Sequence, residues 1–297
     1  MFQLRPYLDT LRARIDIELE QQIRRLCPSE HMQAPCLYSM LAGGKRLRPI
    51  LCLAASDAVG GDIETVMPAA CAIEMIHTYS LIHDDLPALD NDTVRRGQPT
   101  CHIKFDESTA ILCGDALLTM SFEMLSEAGM QQDVSKTHLW LRCIQIISNA
   151  AGCSGMVEGQ ARDLAFEGIS LDTDALKQLH SLKTGALIRA AVESGGCLGG
   201  GSNHQISQLV SYAVDIGLAF QVVDDILNVT GDPETMGKAV GTDQALGKNT
   251  YPALLGLEAS RCYANDLVNR ALKALSIFDK KAEPLRAIAQ YVVDRER

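Results

Sequence analysis

The sequence contains no run of eighteen consecutive apolar residues, which argues against a membrane-spanning helix. It has no excess of basic residues: the formal net charge is −10, so nucleic acid is not expected as a partner. No apolar leader with a cleavage site follows Met1, and we expect a cytoplasmic protein. No CxxC pair occurs among the ten cysteines, which we interpret as reduced, structural core residues.

Helical periodicity is the dominant pattern of the 297 residues, 47% of which are hydrophobic. Glycine pairs such as Gly60 with Gly61 and Gly195 with Gly196 are interpreted as breaks between helices. We predict an all-α fold in which residues 1–297 form a single domain, a helical bundle around a central cavity. The clearest stripes are Leu8, Leu11, Ile15 and Leu19; Ala70, Ile73, Ile76 and Tyr79; Val210, Val214, Gly217, Phe220 and Val223; and Leu285, Ile288 and Val292.

A first acidic cluster, residues 84–92, follows directly on an apolar helical stretch. Asp84 and Asp90 are six residues apart and would not share one face of a regular helix. Pro87 breaks the helix, so the intervening residues can bulge out and bring Asp90 back beside Asp84. Hard carboxylate oxygens are the ligands that magnesium prefers. An acidic helix end followed by a solvated turn is the alternative interpretation.

A second acidic pair, Asp224 and Asp225, lies inside an apolar segment, where an unpaired carboxylate would be costly to bury. Asp224 and Asn228 are four residues apart and share a helical face. Two inward-facing acidic sites on different helices suit metal ions that grip a diphosphate between them. The second cluster therefore favours a metal–diphosphate site over the solvated-turn interpretation of the first.

Basic residues stand beside glycines in this otherwise acidic chain. Guanidinium groups bind phosphate oxygens in a bidentate fork, and lysine supplies a movable point charge. A solvated charged face is the alternative for each residue taken alone. The candidates are Lys45, Arg46 and Arg48 after Gly43 and Gly44; Arg95 and Arg96 before Gly97; and Lys183, Lys238 and Lys248 around the second cluster.

In their order and spacing, these motifs resemble those of the trans-isoprenyl diphosphate synthases over essentially the whole chain. The resemblance implies an isoprenoid-synthase-type helical bundle and a magnesium-dependent enzyme, with three ions when substrate is bound. It also implies head-to-tail condensation of isopentenyl diphosphate with an allylic diphosphate, dimethylallyl or geranyl, and a homodimer. The matching segments are residues 43–49, 84–90 with 95–97, 183–185, 220–225 and 247–252.

The same resemblance implies a role for each matching residue. The implied magnesium ligands are Asp84, Asp90 and Asp224, supported by Asp85 and Asp225. The implied ligands of the allylic diphosphate are Arg95, Lys183 and Lys238. Those of isopentenyl diphosphate are Lys45, Arg48, His77 and Arg96, with Lys248 helping to close the site. Thr184 and Gln221 would turn their oxygens toward the allylic cation. For His77, a core histidine is the alternative.

Product length is expected to depend on the helix before the first cluster. Side chains one turn before Asp84 lie beneath the diphosphate site, so Tyr79 and Ser80 are the candidate product-length residues. By resemblance, an aromatic residue here together with a two-residue insertion in the first motif implies the fifteen-carbon product, farnesyl diphosphate. An ordinary packed core tyrosine is the alternative. Asn228 departs from the family pattern, which usually has aspartate there, and we expect weaker metal binding at that position.

Other activities fit parts of this pattern. Among synthases, a geranyl or geranylgeranyl product is the alternative. A class I terpene cyclase also ionises allylic diphosphates, but it binds no second diphosphate and leaves Lys45, Arg48 and Arg96 without a purpose. A non-catalytic partner subunit typically has eroded aspartate motifs, whereas the first cluster here is intact.

Overall fold

Regular structure in the described part of this protein is almost entirely helical, which confirms the predicted all-α fold class. The computed structural model describes residues 2–230 and 249–294. Within these ranges the α-helices are α1 (Leu4–Leu26), α2 (Glu30–Met40), α3 (Leu47–Ala58), α4 (Ile63–Asp84), α5 (Cys101–Lys104), α6 (Glu107–Met130), α7 (Val134–Ala151), α8 (Met156–Ala165), α9 (Thr173–His180), α10 (Ala186–Leu198), α11 (Asn203–Thr230), α12 (Tyr251–Leu255), α13 (Leu257–Ala274) and α14 (Glu283–Asp294).

Short elements connect some of these helices. A π-helical turn, Ser181–Gly185, joins α9 to α10, and the 3₁₀ turns Leu275–Ile277 and Lys280–Ala282 lead into α14. Two strands, β1 (Val94–Arg95) and β2 (Gln98–Pro99), pair antiparallel. Both residues of the connecting turn, Arg96 and Gly97, have positive φ, as a two-residue type I′ hairpin requires.

Helix α4 lies at the centre of the bundle. Residues 69–76 of this helix are all buried, and a helix that is buried on every side belongs to a protein core. It packs against α3, α6 and α10. Helix α10 also packs against α11, and thereby links the helix that ends in the first aspartate cluster to the helix that carries the second.

The predicted helical stripes are confirmed for α1, α4 and α14, and are partly wrong for α11. Val214 was placed on the apolar face but is 48% exposed. The buried positions of this half of α11 are instead Ile206, Leu209, Tyr212, Ala213 and Ile216. The face that α11 buries is set by its packing against α10 and α13, and valine at an exposed position still reads as apolar in the sequence.

The interpretation of Gly195 and Gly196 as a break between helices is wrong. Both residues lie inside α10. A Cβ atom on Gly195 would stand 2.0 Å from the carbonyl oxygen of Cys52 on α3. The glycine is therefore required for the close approach of two core helices, and tertiary packing outweighs its low helix propensity.

The interpretation of the cysteines as core residues is confirmed for eight of them and is wrong for two. All ten lie in the described ranges and are free, and eight of them are buried. Cys153 and Cys262 are the exposed pair.

Among the described residues, two helices, α6 and α11, are long and apolar enough to cross a membrane by length and composition alone. The most apolar window is 44% buried in α6 and 56% buried in α11. Core helices of globular proteins pass the same test, so the expected absence of a membrane span stays a prediction. The assignment of residues 1–297 to one domain also stays a prediction.

Candidate active site

The first aspartate cluster begins where α4 ends. The chain leaves the helix after Asp84, and Pro87 lies in the turn that follows. The backbone amide of Asp90 then donates a hydrogen bond to the carbonyl oxygen of Asp84, at 2.9 Å. The turn between them closes with a bond from the amide of Asn91 to the carbonyl oxygen of Leu86, at 3.1 Å. The expected return of Asp90 to Asp84 is therefore present in the backbone.

Asp85, the next residue, is buried, with 3% of its surface exposed. Its carboxylate accepts hydrogen bonds from Arg95, at 2.7 Å from Nε and 2.6 Å from a terminal nitrogen. The β-hairpin that carries Arg95 is thus attached to the end of α4. Arg95 also approaches Asp92 at 3.5 Å. These contacts orient the side chain of Arg95, of which 20% is exposed.

The second cluster lies within the continuous helix α11. Asp224 is exposed and Asn228 is half-buried, and their spacing of four places them on one face. Asp225 is 3% exposed. It accepts hydrogen bonds from the Gln221 amide at 2.9 Å and from the backbone amide of Tyr251 at 3.0 Å. Asp225 therefore joins α11 to the start of α12.

Two polar residues of α8 complete the region, and the sequence interpretation missed both. The side-chain amide of Gln160 donates to the Asp84 carboxylate. The Asp163 carboxylate accepts a hydrogen bond from Lys183 Nζ at 2.6 Å. A Cβ atom on Gly159 would stand 2.3 Å from the Lys183 amide nitrogen. Gln160 and Asp163 are three apart, next to that glycine, and this spacing on one helical face was the available signal.

Lys183 and Thr184 are carried by the π-helical turn between α9 and α10. Such turns are frequent at functional sites because they alter the side-chain register of a helix. Thr184 Oγ1 donates to the side-chain oxygen of Gln221 on α11, at 3.2 Å. This bond brings together two residues that are 37 positions apart in the sequence. Gln221 in turn donates to Asp225. Thr184 and Gln221 therefore connect the turn that bears Lys183 to the second cluster.

The basic residues near α3 have two kinds of surroundings. Arg46 is paired with carboxylates inside the bundle, whereas Arg48 and Arg96 are not paired with any carboxylate at hydrogen-bond distance among the described residues. Arg46 is 2% exposed and its guanidinium contacts Glu74 at 2.8 Å and Asp16 at 2.7 Å. Arg96 donates to the carbonyl oxygen of Gly43. A Cβ atom on Gly44 would stand 2.8 Å from the Arg96 guanidinium. The glycine pair therefore makes room for Arg96, and Arg46 holds the surrounding helices.

Arg48 and His77 are close enough to the other arginines for the positive charges to affect their pKa values. Arg48 Nε is buried and has no hydrogen-bond partner among the described residues. Burial lowers the pKa of Arg48, and the neighbouring Arg96 lowers it further. Burial is also the main cause that lowers the pKa of His77 well below its usual range, followed by the charge of Arg48. A neutral histidine among arginines with an unsatisfied buried donor is a suitable site for an anion.

The two product-length candidates lie on the last turns of α4. Tyr79 is 8% exposed, and its ring packs edge-on against His83 with centroids 5.7 Å apart. Burial raises the pKa of Tyr79. Ser80 is half-buried and donates to the carbonyl oxygen of His77 at 2.8 Å. Lys45 is exposed, and Lys238 and Lys248 lie outside the described residues.

The acidic residues match the donors that magnesium prefers. Asp84, Asp90 and Asp224 supply carboxylate oxygens. Within the described ranges, no group of three acidic, imidazole or thiol side chains is arranged to hold a metal ion without help. Magnesium commonly uses one or two carboxylates and completes its octahedron with water and substrate phosphate oxygens. The donor set therefore fits magnesium bound together with a diphosphate.

Comparison with known proteins identifies the family. The family model described as polyprenyl synthetase matches residues 29–288. A farnesyl diphosphate synthase of Escherichia coli strain K12 is 49% identical over 264 residues, covering 88% of this chain and 88% of its own. A geranylgeranyl diphosphate synthase of Cyanophora paradoxa is 44% identical over 295 residues, covering 99% of this chain and 97% of its own.

Solved structures show the same fold. A Zymomonas mobilis FPP/GFPP synthase superposes with a TM-score of 0.84 at 38% identity, covering 96% of this chain and 98% of the other. A geranylgeranyl pyrophosphate synthetase of Pyrococcus horikoshii superposes with a TM-score of 0.87 at 30% identity, covering 98% and 99%. The chain belongs to the polyprenyl synthetase family, the trans-isoprenyl diphosphate synthases. It is a prenyltransferase that elongates isoprenoid chains.

Proposed function

We propose that this prenyltransferase makes farnesyl diphosphate from isopentenyl diphosphate and dimethylallyl or geranyl diphosphate. The observation that carries the proposal is Tyr79, a bulky and buried side chain five residues before Asp84 on α4. A chain that grows along α4 from the diphosphate at Asp84 reaches this ring after about one helical turn. Geranylgeranyl and geranyl diphosphate are the alternative products.

The relatives do not decide between these products. The Escherichia coli relative is a farnesyl diphosphate synthase and the Cyanophora paradoxa relative is a geranylgeranyl diphosphate synthase, at 49% and 44% identity. Identities this close cannot separate two products of one fold, since function depends on particular side chains. The product assignment therefore rests on Tyr79.

The allylic diphosphate is proposed to lie between the two aspartate clusters. Magnesium, three ions when substrate is bound, would supply positive charge to the departing diphosphate. Asp84, Asp90 and Asp224 would hold the magnesium ions at this position. The residues proposed to contact the same diphosphate directly are Arg95, Lys183 and Lys238.

The isopentenyl diphosphate is proposed to bind around α3 and α4. Support comes from the buried, unpartnered Nε of Arg48 and from the neutral His77 beside it. An anion at this position would satisfy the donor and relieve the repulsion between Arg48 and Arg96. The full set of proposed ligands is Lys45, Arg48, His77 and Arg96, with Lys248 closing the site.

The proposed reaction begins when the allylic carbon–oxygen bond breaks and the diphosphate leaves with the electron pair. Lys183 and Arg95 stabilise the charge that develops on the leaving group. The oxygens of Thr184 and Gln221, already joined at 3.2 Å, face the allylic cation. The double bond of isopentenyl diphosphate attacks this cation, and the released diphosphate accepts the proton that is lost. The apolar bundle excludes water, which would otherwise capture the cation.

One incubation tests the proposal. Labelled isopentenyl diphosphate, dimethylallyl diphosphate and magnesium are supplied, and product length is read by chromatography. A fifteen-carbon product supports the assignment. A twenty-carbon or ten-carbon main product would replace it with one of the alternatives, and an absence of elongation would favour the cyclase or the non-catalytic subunit.

Tyr79→Ala tests the residue that carries the assignment. Because the change removes the proposed floor of the chain pocket, we expect products at least one five-carbon unit longer, at a stability cost of about 3 kcal/mol. Tyr7→Ala, at a half-buried tyrosine of α1, is the control and should leave product length unchanged. An unchanged product from Tyr79→Ala would mean that the ring is an ordinary core residue.

Assembly and location form a separate part of the proposal. We expect a homodimer in the cytoplasm. Sedimentation of the purified protein tests the oligomeric state, and fractionation of the source cells tests the location. A monomeric mass or a membrane-bound fraction would contradict them.

A further inference from the structure

A polar cleft lies between α7 and α10, and no residue of either aspartate cluster lines it. Its volume is about 430 Å³, which is within the usual range for small-molecule sites. The family assignment and the proposed reaction give this cleft no role. Its polar lining consists of Arg142, Gln145 and Asn149 from α7, Ser154 from the turn before α8, and Arg189 and Glu193 from α10.

The cleft exists because small side chains face each other along the two helices. Ala186 and Ala190 are four residues apart on α10, and Ala150 lies opposite on α7. Larger residues at these positions would fill the groove between two packed helices. The alanines therefore form an apolar floor beneath a rim of charged and amide groups.

The rim carries donors that other protein groups do not satisfy. Arg142 makes no ion pair or hydrogen bond within residues 2–230 and 249–294. Arg189 contacts Glu193 at 3.3 Å with 55% of its side chain exposed, and an exposed pair of this kind contributes little. The two walls are close together, since α7 packs against α10 and side chains of both helices line the same cleft.

We propose that the cleft binds a small organic anion, with a phosphate or carboxylate group held by Arg142 and Arg189 and a short apolar part on the alanine floor. Guanidinium groups bind both kinds of oxyanion in a bidentate fork. Gln145, Asn149 and Ser154 add neutral hydrogen-bonding groups around the charge. Two arginines against one glutamate give this face a local positive charge, although the chain as a whole carries −10.

An occupant would touch both segments that carry the Lys183–Asp163 ion pair. Ala186, on the cleft floor, is the first residue of α10 after the π-helical turn that bears Lys183. Ser154 lies just before α8, which bears Asp163. Binding in the cleft is therefore expected to change the affinity for the allylic diphosphate, and by linkage the reverse. This coupling rests on the proposed function, whereas binding in the cleft does not.

Calorimetric titration of the full-length protein with phenyl phosphate, benzoate and neutral phenol tests the binding. Magnesium and inorganic diphosphate are left out, because diphosphate would itself compete for Arg142 and Arg189. The titration is repeated in Arg48→Ala, which removes the buried donor of the proposed isopentenyl diphosphate site. We expect one site per chain in Arg48→Ala for phenyl phosphate or benzoate and none for phenol. Arg142→Ala and Arg189→Ala should each weaken binding about tenfold or more. Arg261→Ala is the control, because Arg261 is similarly exposed at 50% and pairs with Glu258 on α13.

The outcomes separate the possibilities. Tighter binding of phenyl phosphate than of benzoate assigns a phosphate ligand, and the reverse assigns a carboxylate. Equal affinity in all three arginine variants, or heat from phenol alone, would overturn the proposal. So would a change of molecular mass in Arg142→Ala and Arg189→Ala, since the cleft would then be a contact between two copies of the chain. Elongation assays on the same variants report on the proposed function independently.

Discussion

The two aspartate clusters of this protein are built in different ways. Asp84 and Asp90 are joined across a turn that follows α4, where the amide of Asp90 meets the carbonyl oxygen of Asp84 at 2.9 Å. Asp224 and Asn228 share a face of the uninterrupted helix α11. The first arrangement needs a break in the helix, whereas the second needs only helical geometry.

The supports of the two clusters differ as well. At the first cluster, Asp85 holds Arg95, and Gln160 from α8 contacts Asp84. At the second, Asp225 holds the backbone of Tyr251 and the Gln221 amide. Each cluster therefore has one buried aspartate that holds neighbouring structure: Asp85 holds the hairpin and Asp225 holds the start of α12. Asp84 also accepts a hydrogen bond from Gln160 on a separate helix. We infer that Asp84 and Asp224 are the ligand-binding members and that Asp85 and Asp225 are structural.

The largest expected effect is the loss of kcat when one aspartate of either cluster is replaced by alanine. Asp84→Ala should lower kcat by about 10³-fold, because the departing diphosphate loses charge stabilisation in the transition state. Asp224→Ala should cost about 10²-fold, since its cluster already has the uncharged Asn228. Steady-state kinetics over a range of magnesium concentrations measure both. Asp266→Ala, at an exposed position of α13, is the control. A loss for Asp224→Ala as large as that for Asp84→Ala would contradict the ranking.

The next effect concerns stability. Asp225→Ala should lower the free energy of unfolding by about 3 kcal/mol, because it leaves the Gln221 amide and the buried Tyr251 amide without their acceptor. Asp215→Ala on the same helix removes a carboxylate whose partner, Arg270, is 52% exposed, and should cost less than about 1 kcal/mol. Urea unfolding compares the two. Equal costs would mean that Asp225 is no more structural than a surface residue.

A pH dependence follows from the helices beside the second cluster. His180 packs against Tyr251 with ring centroids 5.5 Å apart, and burial lowers its pKa to about 4. The unfolded chain therefore binds a proton more readily than the folded one between about pH 6.5 and 4. Stability from this group is present above that window and is lost as the pH falls through it.

Between pH 7.5 and pH 5, His180 should account for a loss of about 2 kcal/mol in the free energy of unfolding. His180→Phe should flatten the pH dependence by that amount in urea unfolding at the two pH values. His138→Phe, on α7, is the control. A pH dependence that is the same in His180→Phe and in the unaltered protein would show that His180 is not the group that titrates.

The smallest expected effect restores a charge. Asn228→Asp should lower the magnesium concentration for half-maximal activity by about threefold, because it adds a negative ligand to the face of Asp224. Maximal activity should change little, since the first cluster is untouched. A magnesium titration of activity measures this. An unchanged requirement would mean that the asparagine oxygen already serves as well as a carboxylate.

Much of this site could be predicted from the sequence, because its acidic and basic residues are local motifs. Pro87 indicated the break after α4, and the spacing of Asp224 and Asn228 indicated a shared face. Gln160 and Asp163 were missed, since a glutamine and an aspartate three apart are common on any solvated helix. Only the fold shows that they meet Asp84 and Lys183.

The sequence by itself determined the all-α class, the two aspartate clusters and the cations beside the glycines, because helical period and local charge are properties of neighbouring residues. The tertiary structure decided which carboxylates face a ligand and which hold the bundle together. Asp84 and Asp85 are adjacent and chemically identical in the sequence, as are Asp224 and Asp225. Adjacent positions on a helix point about 100° apart, so packing buries one of each pair against a partner and leaves the other at the site.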